Sequence, residues 1–507
     1  MPRLRLHLVA LALTFGFAAA APASPNIVLF LVDDLGWQDL SVPMHTQPTE
    51  FNARYHTPNL DRLARRGMRF TQAYASAPVC TPTRTSILSG ASPARSHISY
   101  WTLHRDRDTS RAHPTVRPPA WNMNGLQPAP ANLPRLLANA GYRTIHVGKA
   151  HFGAHGTDGA DPTRLGFEVN IAGHGSGAPA SFYGTHGFSR AGRSGNPEAT
   201  SVWDVPGLEK YHGRDIYLTE ALALEADAAV RTALDEGVPF FLNFAPYAVH
   251  TPIMANRRRL DRYAALDPKE AAYATMIESA DAALGTIMDT LEERGAADRT
   301  VIIFTSDNGG LSAHARGGVP HTHNAPLKSG KGSSYEGGTR VPAIIAWPGV
   351  TKPDSVCHEP VISHDLYPTI LAIAGVAMPV DHAEDVDGVD LGPLVRGTRV
   401  GFPVGRVLGW HQPHQWGASG PGIEPFTSIR ADRWKLIYFH GDRRFELYDL
   451  QTDLGERFDR AASEPAMVAA LADRMDRWIR HTGAQLSLHK DADAPIPGPV
   501  ETLAARD

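Results

Sequence analysis

The chain has 507 residues, 42% of them apolar and 20% charged, which is enough to bury a large core and excludes disorder over most of its length. Forty-nine basic residues against 53 acidic ones give a net charge of −4, and so small a charge argues against nucleic acid as a partner, because phosphate binding needs a basic surface. Two cysteines, Cys80 and Cys357, exclude a disulfide-stapled scaffold.

Arg3 and Arg5 precede an apolar stretch over residues 8–21, and Ala21-Pro22-Ala23 follows as an A-x-A pattern. Residues 1–23 therefore read as a signal peptide that sends the protein to the periplasm or the medium. Its removal leaves 47 basic against 53 acidic residues, a net of −6. No later segment offers about 20 consecutive apolar residues, so no membrane span is expected after cleavage.

Asn26–Val32 (NIVLFLV) is a continuous apolar run, the pattern of a strand buried on both faces. Similar runs occupy residues 143–147, 240–245, 300–305 and 341–347. Helical spacing of three and four marks residues 59–68, 133–140, 215–236, 268–294 and 365–374. Strands alternating with helices predict an α/β fold with a parallel sheet covered on both faces. Residues 91–131 form a long proline-rich, locally basic loop, and residues 173–195 a glycine-rich one; loops of this length are functional or mobile. After about residue 396 the texture changes. Residues 428–439 and 445–450 read as short antiparallel strands, residues 464–481 as a final helix, and residues from about 490 as a proline-containing tail. The expected division is a signal peptide at 1–23, a catalytic α/β domain at 24–395 and a C-terminal α+β subdomain at 396–507. Cys357 is expected to be a structural thiol.

In parallel α/β sheets ligands bind beyond the carboxyl ends of the strands. Asp33 and Asp34 follow the first strand, Lys149 and His151 the second, His250 the third, and Asp307 and Asn308 the fourth. Each could be a turn or a structural residue alone; together they place acids, an amide, histidines and a lysine at one edge. Three carboxylates and one amide are oxygen donors that suit Ca²⁺ or Mg²⁺ rather than zinc. Crowded carboxylates repel one another, so a divalent cation is their natural partner.

Cys80-Thr81-Pro82-Thr83-Arg84 leads into an apolar-polar stretch that ends at Ser89-Gly90. Pro82 suits a first helical turn and Gly90 a helix end, so Cys80 falls at a helix N-terminus, where free amides and the dipole favour anions. Arg84, one turn on, can aim a planar charged fork at an oxyanion.

With these motifs in order, the chain resembles the formylglycine-dependent (type I) sulfatases of the alkaline-phosphatase-like superfamily. The likeness runs from Pro25-Asn26 to Leu447-Tyr448-Asp449-Leu450. It is carried by Asp33-Asp34, Cys80-x-Pro82-x-Arg84, Gly141-Tyr142-x-Thr144…Gly148-Lys149-x-His151, Ser306-Asp307-Asn308-Gly309 and Gly330-Lys331-Gly332…Tyr335-Glu336-Gly337-Gly338. The resemblance implies a large mixed, mostly parallel sheet sandwiched by helices, with a smaller C-terminal α+β domain on a short antiparallel sheet. It implies that a formylglycine-generating or sulfatase-maturating enzyme oxidises Cys80 to formylglycine (3-oxoalanine). The hydrated aldehyde would attack sulfur with one hydroxyl and expel sulfate through the other. By similarity Asp33, Asp34, Asp307, Asn308 and the modified Cys80 ligate Ca²⁺. Arg84 and Lys149 would stabilise the formylglycine and metal cluster, and Asp307 would help take up the nucleophile's proton. His151 would take the second hydroxyl's proton, and His250 and Lys331 would clamp the sulfate and protonate the leaving oxygen. Two positions depart from the family pattern: Ala150 stands where an aromatic residue is common, which would reshape the pocket wall, and Ser89 precedes Gly90 where threonine is commoner. Lys328, unlike Lys331, reads as a solvated loop lysine.

The motifs fix the reaction and leave the alcohol open. Candidate substrate-binding residues lie on the variable loops: Trp101, His104, Arg105 and Arg107, with His174, His186, His321 and His323. Aromatic rings stack on sugars and arginine reads sulfates, so a sulfated carbohydrate is the expected substrate. The alternatives are a phosphonate monoester or phosphodiester hydrolase on the same scaffold, and a glycan-binding pseudoenzyme.

Overall fold

The computed structural model describes residues 24–506 except 313–315, 317, 418 and 419, so the expected signal peptide at 1–23 lies outside the described residues. The central sheet has eight strands: β1 Asn26–Val32, β2 Met68–Phe70, β3 Arg143–Gly148, β4 Val169–Ile171, β5 Phe240–Ala245, β6 Thr300–Ser306, β7 Ala343–Ala346 and β8 Ser355–Cys357. Their order is β8-β2-β7-β6-β1-β5-β3-β4. All neighbours pair in parallel except β7, which runs antiparallel to both β2 and β6. The sheet is therefore mixed, as the family resemblance implies and contrary to the purely parallel reading. The run at 341–347 is cut by Pro342, which lacks a ladder donor. Arg340–Val341 joins a separate three-stranded sheet with Ala73–Tyr74 and Val361–Ile362.

The α-helices of seven or more residues are α1 Pro58–Arg66, α2 Cys80–Ser89, α3 Leu133–Asn139, α4 Leu218–Asp235, α5 Pro268–Glu293, α6 Leu366–Ala374 and α7 Pro465–Thr482. Alternate residues of β1 face opposite cores. Val28, Phe30 and Val32 pack with α4 and α5, while Ile27, Leu29 and Leu31 pack with α2, α3 and α6. Each large side chain buried in this way stabilises by about 1.5–3 kcal/mol. The strand is thus anchored from both faces, and the residues at its carboxyl end start from a rigid base.

The C-terminal sheet is antiparallel: β9 Val407–Gln412, β10 Phe426–Ala431, β11 Trp434–Phe439 and β12 Phe445–Asp449, in that order. The single run expected at 428–439 is two strands joined by a tight turn, with Asp432 in the left-handed region at φ 52. One face packs on α7 through Ile429, Leu436, Leu447, Leu471 and Met475. The other docks Trp410, Ile437 and Phe439 against Tyr74, Tyr335 and Ile362. The expected tail is folded: Leu488–His489 pairs with Val116–Arg117, Pro499–Ala504 is helical, and Ile496 is buried. The long 91–131 loop is pinned by buried Tyr100 and Trp121. Among the described residues no helix is long and apolar enough to cross a membrane.

Candidate active site

The carboxyl ends of β1, β3, β5 and β6 converge with the start of α2. Cys80 is the first residue of α2, and Gly90 closes that helix in the left-handed region with its N–H on Ser86 O at 2.8 Å. The Cys80 side chain is buried; its Sγ lies 3.4 Å from Lys331 Nζ and 3.9 Å from Asp33 Oδ1. Burial acts to raise the thiol's pKa, but Lys149 and Lys331 outweigh it and bring the group down to about 7.

The charges around it are fully buried and interlocked. Lys149 Nζ lies 2.7 Å from Asp33 Oδ2 and 3.8 Å from Asp307 Oδ2. Arg84 donates from Nε to Asp307 Oδ2 at 2.7 Å and from Nη1 to the Lys149 carbonyl at 2.8 Å, which leaves its buried Nη2 without a hydrogen-bond partner. Lys331 Nζ sits 2.7 Å from Asp34 Oδ1, and His250 Nε2 lies 3.6 Å from Asp34 Oδ2. Asp34 adopts φ 58, a region an aspartate tolerates, and its N–H donates to Asp307 Oδ1 at 3.2 Å. Burial raises the Asp33 carboxyl well above its usual value against the pull of Lys149. Burial acts the same way on Asp34, yet Lys331, His250 and Lys149 hold that carboxyl low.

Glycines let the loops close on this centre. A Cβ on Gly309 would come within 1.9 Å of the Gly337 carbonyl oxygen, so the Asp307-Asn308-Gly309 turn and the Glu336-Gly337-Gly338 turn can touch only without side chains. Gly332 has φ 84, and its missing Cβ makes room for the Trp416 indole. Lys331 N and Gly332 N donate to Gly310 O at 3.0 Å and Pro78 O at 2.8 Å, which stitches the lysine loop to the ends of β6 and α2.

His151 packs behind the cysteine helix. Its Nε2 lies 2.8 Å from Thr102 O and 3.1 Å from Thr81 Oγ1. A carbonyl only accepts, so Nε2 carries the hydrogen and Nδ1 keeps the lone pair, buried and without a partner. Burial, with Lys149 nearby, depresses this imidazole well below its usual pKa and keeps it neutral.

The donor set fits a hard divalent cation. Asp33, Asp34, Cys80 and His250 present ligand atoms all within 4.8 Å of one another. Asp34 Oδ2 and Asn308 Oδ1 are buried oxygens with no hydrogen-bond partner. Asn308 Nδ2 faces Asp34 Oδ1 at 2.7 Å; rotating that amide turns its orphaned oxygen to the same carboxylate, an arrangement that a cation between them satisfies.

The other expected residues scatter. Trp101 and Trp416 are half-buried beside the buried Val79, Tyr100 and Trp121, and Lys331 Nζ stands 5.6 Å from the Trp416 ring. His104, His155 and His174 form a row with ring spacings of 6.1 and 5.6 Å, adjoining His151 through its N–H on the His174 carbonyl. Burial lowers the His174 pKa to about 3. Arg105 and Arg107 are exposed. His186 bonds Ser181 Oγ at 2.8 Å, and a Cβ on Gly420 would meet His321 at 2.9 Å. His323 is buried, with Nδ1 3.1 Å from Ser312 O, and borders a separate cleft with Arg54 and Glu270. Ala150 points into the hydrophobic core with Phe152, so its small size does not reshape the pocket wall. Lys328 is half-buried and held in place: it lies 3.7 Å over the Tyr335 ring and donates to Glu456 O at 3.2 Å. Cys357 is a free, buried thiol in the core at the end of β8, its pKa raised by burial. Sequence reasoning missed Thr81 and Trp416; Thr81 could have been found from its place beside Cys80, whereas Trp416 arrives from the C-terminal region with no motif around it.

The family model Sulfatase matches residues 25–376. The chain belongs to the sulfatase family. A second family model, N-sulphoglucosamine sulphohydrolase C-terminal, matches residues 330–481 of this sulfatase. Arylsulfatase A of Homo sapiens is 34% identical over 91% of this chain and 88% of its own length. N-acetylgalactosamine-6-sulfatase of Homo sapiens is 32% identical over 79% of this chain and 73% of its own. Among solved structures, Ps i-CgsB aligns with a TM-score of 0.72 and 25% identity, covering 90% of this chain and 93% of that one, and has also been solved in complex with k-i-k-neocarrahexaose. The chain is a sulfuric ester hydrolase with the alkaline-phosphatase-like fold.

Proposed function

We propose that this sulfatase is exported and hydrolyses sulfate monoesters of carbohydrates, using formylglycine made from Cys80 by a host maturating enzyme and Ca²⁺ (or Mg²⁺) held by Asp33, Asp34, Asp307, Asn308 and the modified Cys80. The single observation that carries this reading is the thiol of Cys80 at the first turn of α2, aimed between Lys331 Nζ and Asp33 Oδ1. The sugar is favoured by the carbohydrate-linked names of two similar proteins, an N-acetylgalactosamine-6-sulfatase and a structure bound to a neocarrahexaose. Residues 24–395 would form the catalytic unit and residues 396–507 its C-terminal subdomain, with residues 1–23 as the export signal.

Formylglycine supplies a hydrated aldehyde that serves as nucleophile and then releases sulfate, and the cation supplies Lewis-acid polarisation and charge neutralisation. The chain's own groups do the rest. Lys331 Nζ, beside the nucleophile's position, grips a sulfate oxygen and places positive charge where the ester oxygen gains negative charge. His250 Nε2, on the Asp34 side of the same space, is the second group able to hand a proton to that oxygen. Arg84 fixes Asp307 through Nε and Lys149 through its carbonyl, and its free Nη2 is a donor for an oxyanion. Lys149 bridges Asp33 and Asp307 and lowers their mutual repulsion. His151, neutral with its lone pair on Nδ1, is the proton acceptor in this wall of the pocket.

The test is the mass of the tryptic peptide of residues 70–84 from protein made in a host with converting activity, together with turnover of an aryl sulfate by wild type and Cys80→Ala. A mass matching CH₂SH replaced by CHO, and a fall in turnover of at least about a thousandfold in the variant, are expected. An unmodified thiol in active enzyme would overturn the formylglycine reading.

A further inference from the structure

A second polar cleft lies on the same edge of the sheet, beyond its outer strands. Thr71 and Gln72 follow β2, and His358 and Glu359 follow β8; both strands run parallel to β6, so these residues emerge on the side where Asp307 emerges. Opposite them stand the β10–β11 turn and the residues after β12 of the C-terminal sheet. The space between is about 520 Å³. Five arginines line it: Arg340, Arg399, Arg406, Arg430 and Arg433.

The floor of the cleft gathers two buried guanidinium groups. Arg430, 5% exposed, donates to the Tyr74 hydroxyl, the Gln72 side-chain oxygen and the Asp432 carbonyl, all of them neutral acceptors. Arg340, 4% exposed, stacks at 4.6 Å on Trp37, and its Nε and Nη1 have no hydrogen-bond acceptor. Its nearest carboxylate, Glu336, is 3.4 Å from Nη1 and is already shared with Lys435 at 3.0 Å and the Tyr74 hydroxyl at 2.6 Å. Arg340, Arg430 and Lys435 therefore divide Glu336 and Glu456 among three cations. At the rim, Arg399 and Arg433 keep side chains 61% and 48% exposed while leaning on Glu359 and Asp449. Arg406 is committed to Asp365 and braces the wall.

Two solvent-facing guanidinium forks above a floor of buried guanidinium groups make a receptor for a strong-acid oxyanion that stays ionised. We propose that this cleft is a second glycan-binding site, which holds a sulfate group of the oligosaccharide away from the reacting ester and so retains long sulfated chains at the enzyme. The choice of a sulfated glycan as occupant rests on the proposed substrate class; the anion site itself rests on the cleft.

The experiment compares the full-length wild type with Arg399→Ala/Arg433→Ala. A charge-matched control, Arg477→Ala/Arg480→Ala, removes two exposed arginines of α7. Binding of dextran sulfate, unsulfated dextran of equal length and inorganic sulfate is measured by titration calorimetry at two salt concentrations, and turnover of a small aryl sulfate is followed alongside. The cleft variant should bind dextran sulfate about tenfold more weakly than wild type, with kcat and KM for the aryl sulfate unchanged and the α7 control close to wild type. Arg399→Lys/Arg433→Lys should fall between, since it keeps charge and loses the fork. Equal losses in the cleft variant and the α7 control, or unchanged affinity in the cleft variant, would overturn the site, and equal affinity for unsulfated dextran would overturn its anion specificity. A wild type that releases no sulfate from a sulfated oligosaccharide yet shows the cleft-dependent binding would sink the proposed function and leave the cleft standing.

Discussion

The molecule buries two dense clusters of charge. One gathers Asp33, Asp34, Asp307, Lys149, Arg84 and Lys331 at the carboxyl ends of the central strands. The other gathers Glu336, Glu456, Lys435, Arg340 and Arg430 where the C-terminal sheet docks on the body. Both remove ions from water at a cost that pairing barely offsets. They differ in what the chain delivers to them. The first leaves Asp34 Oδ2, Asn308 Oδ1 and Arg84 Nη2 without hydrogen-bond partners, and a helix N-terminus delivers Cys80 into it. The second leaves Arg340 Nε and Nη1 and Glu456 Oε1 without hydrogen-bond partners and has no nucleophile among its members. Burial and charge alone therefore do not mark the reacting centre. Both leave donors and acceptors over, so it is the nucleophile that tells which one reacts.

One matched pair of substitutions breaks the comparison most sharply. Lys435→Met takes the lysine from buried Glu456 and leaves Glu336 with Arg340, and the loss of one partner from a buried pair costs about 3–5 kcal/mol. Urea unfolding should show that loss, with kcat of the folded fraction for an aryl sulfate unchanged. Lys331→Met should do the reverse in activity, lowering kcat by about 10²–10³-fold. If Lys435→Met cut kcat while stability held, the two clusters would share a catalytic task and the distinction would be wrong.

The same contrast explains what could be read in the sequence. The first cluster was legible because its members follow strands with continuous apolar runs and sit in compact motifs; each of Asp33, Asp34, Lys149, Asp307 and Lys331 lies where its motif put it. The second was illegible as a cluster because its residues come from four separate segments, and only Glu336 lies in a motif. Lys435 is one polar residue of β11, and Glu456 follows a turn. The reversal of β7 was equally hidden, since an apolar strand reads alike in either direction, and only Pro342 hinted that the run would break. Ala150 misled for a geometric reason: alternation along the chain after β3 turns it to the core, while Lys149 faces the site and His151 packs behind α2.

Cation binding tests the orphaned-oxygen half of the comparison without any turnover. Ca²⁺ at about a hundred times its dissociation constant should raise unfolding free energy by about 2.7 kcal/mol, seen as a concentration-dependent rise in Tm. Asp34→Asn and Asn308→Ala should shrink that rise, and Glu336→Gln in the other cluster should leave it intact. Equal responses in all three variants would mean that Ca²⁺ binds elsewhere.

The smallest effect separates the clusters by pH. Burial first, then the neighbouring Glu336, push the Glu456 carboxyl up to about 7 against the pull of Lys435. In the unfolded chain a glutamate titrates near 4.3. Between these values the folded state holds a proton that the unfolded state has released, so stability falls as pH rises through this window. The slope from this one group is at most about 1.4 kcal/mol per pH unit. Glu456→Gln removes the titration and keeps the shape. The difference in unfolding free energy between wild type and variant should therefore move against the wild type by up to ~1.4 kcal/mol from pH 5.5 to 6.5. Urea titrations of both proteins at the two pH values measure it. A constant difference would show that Glu456 is ionised throughout, which would bring the second cluster closer to charge balance and weaken the case that its arginines lack an anion.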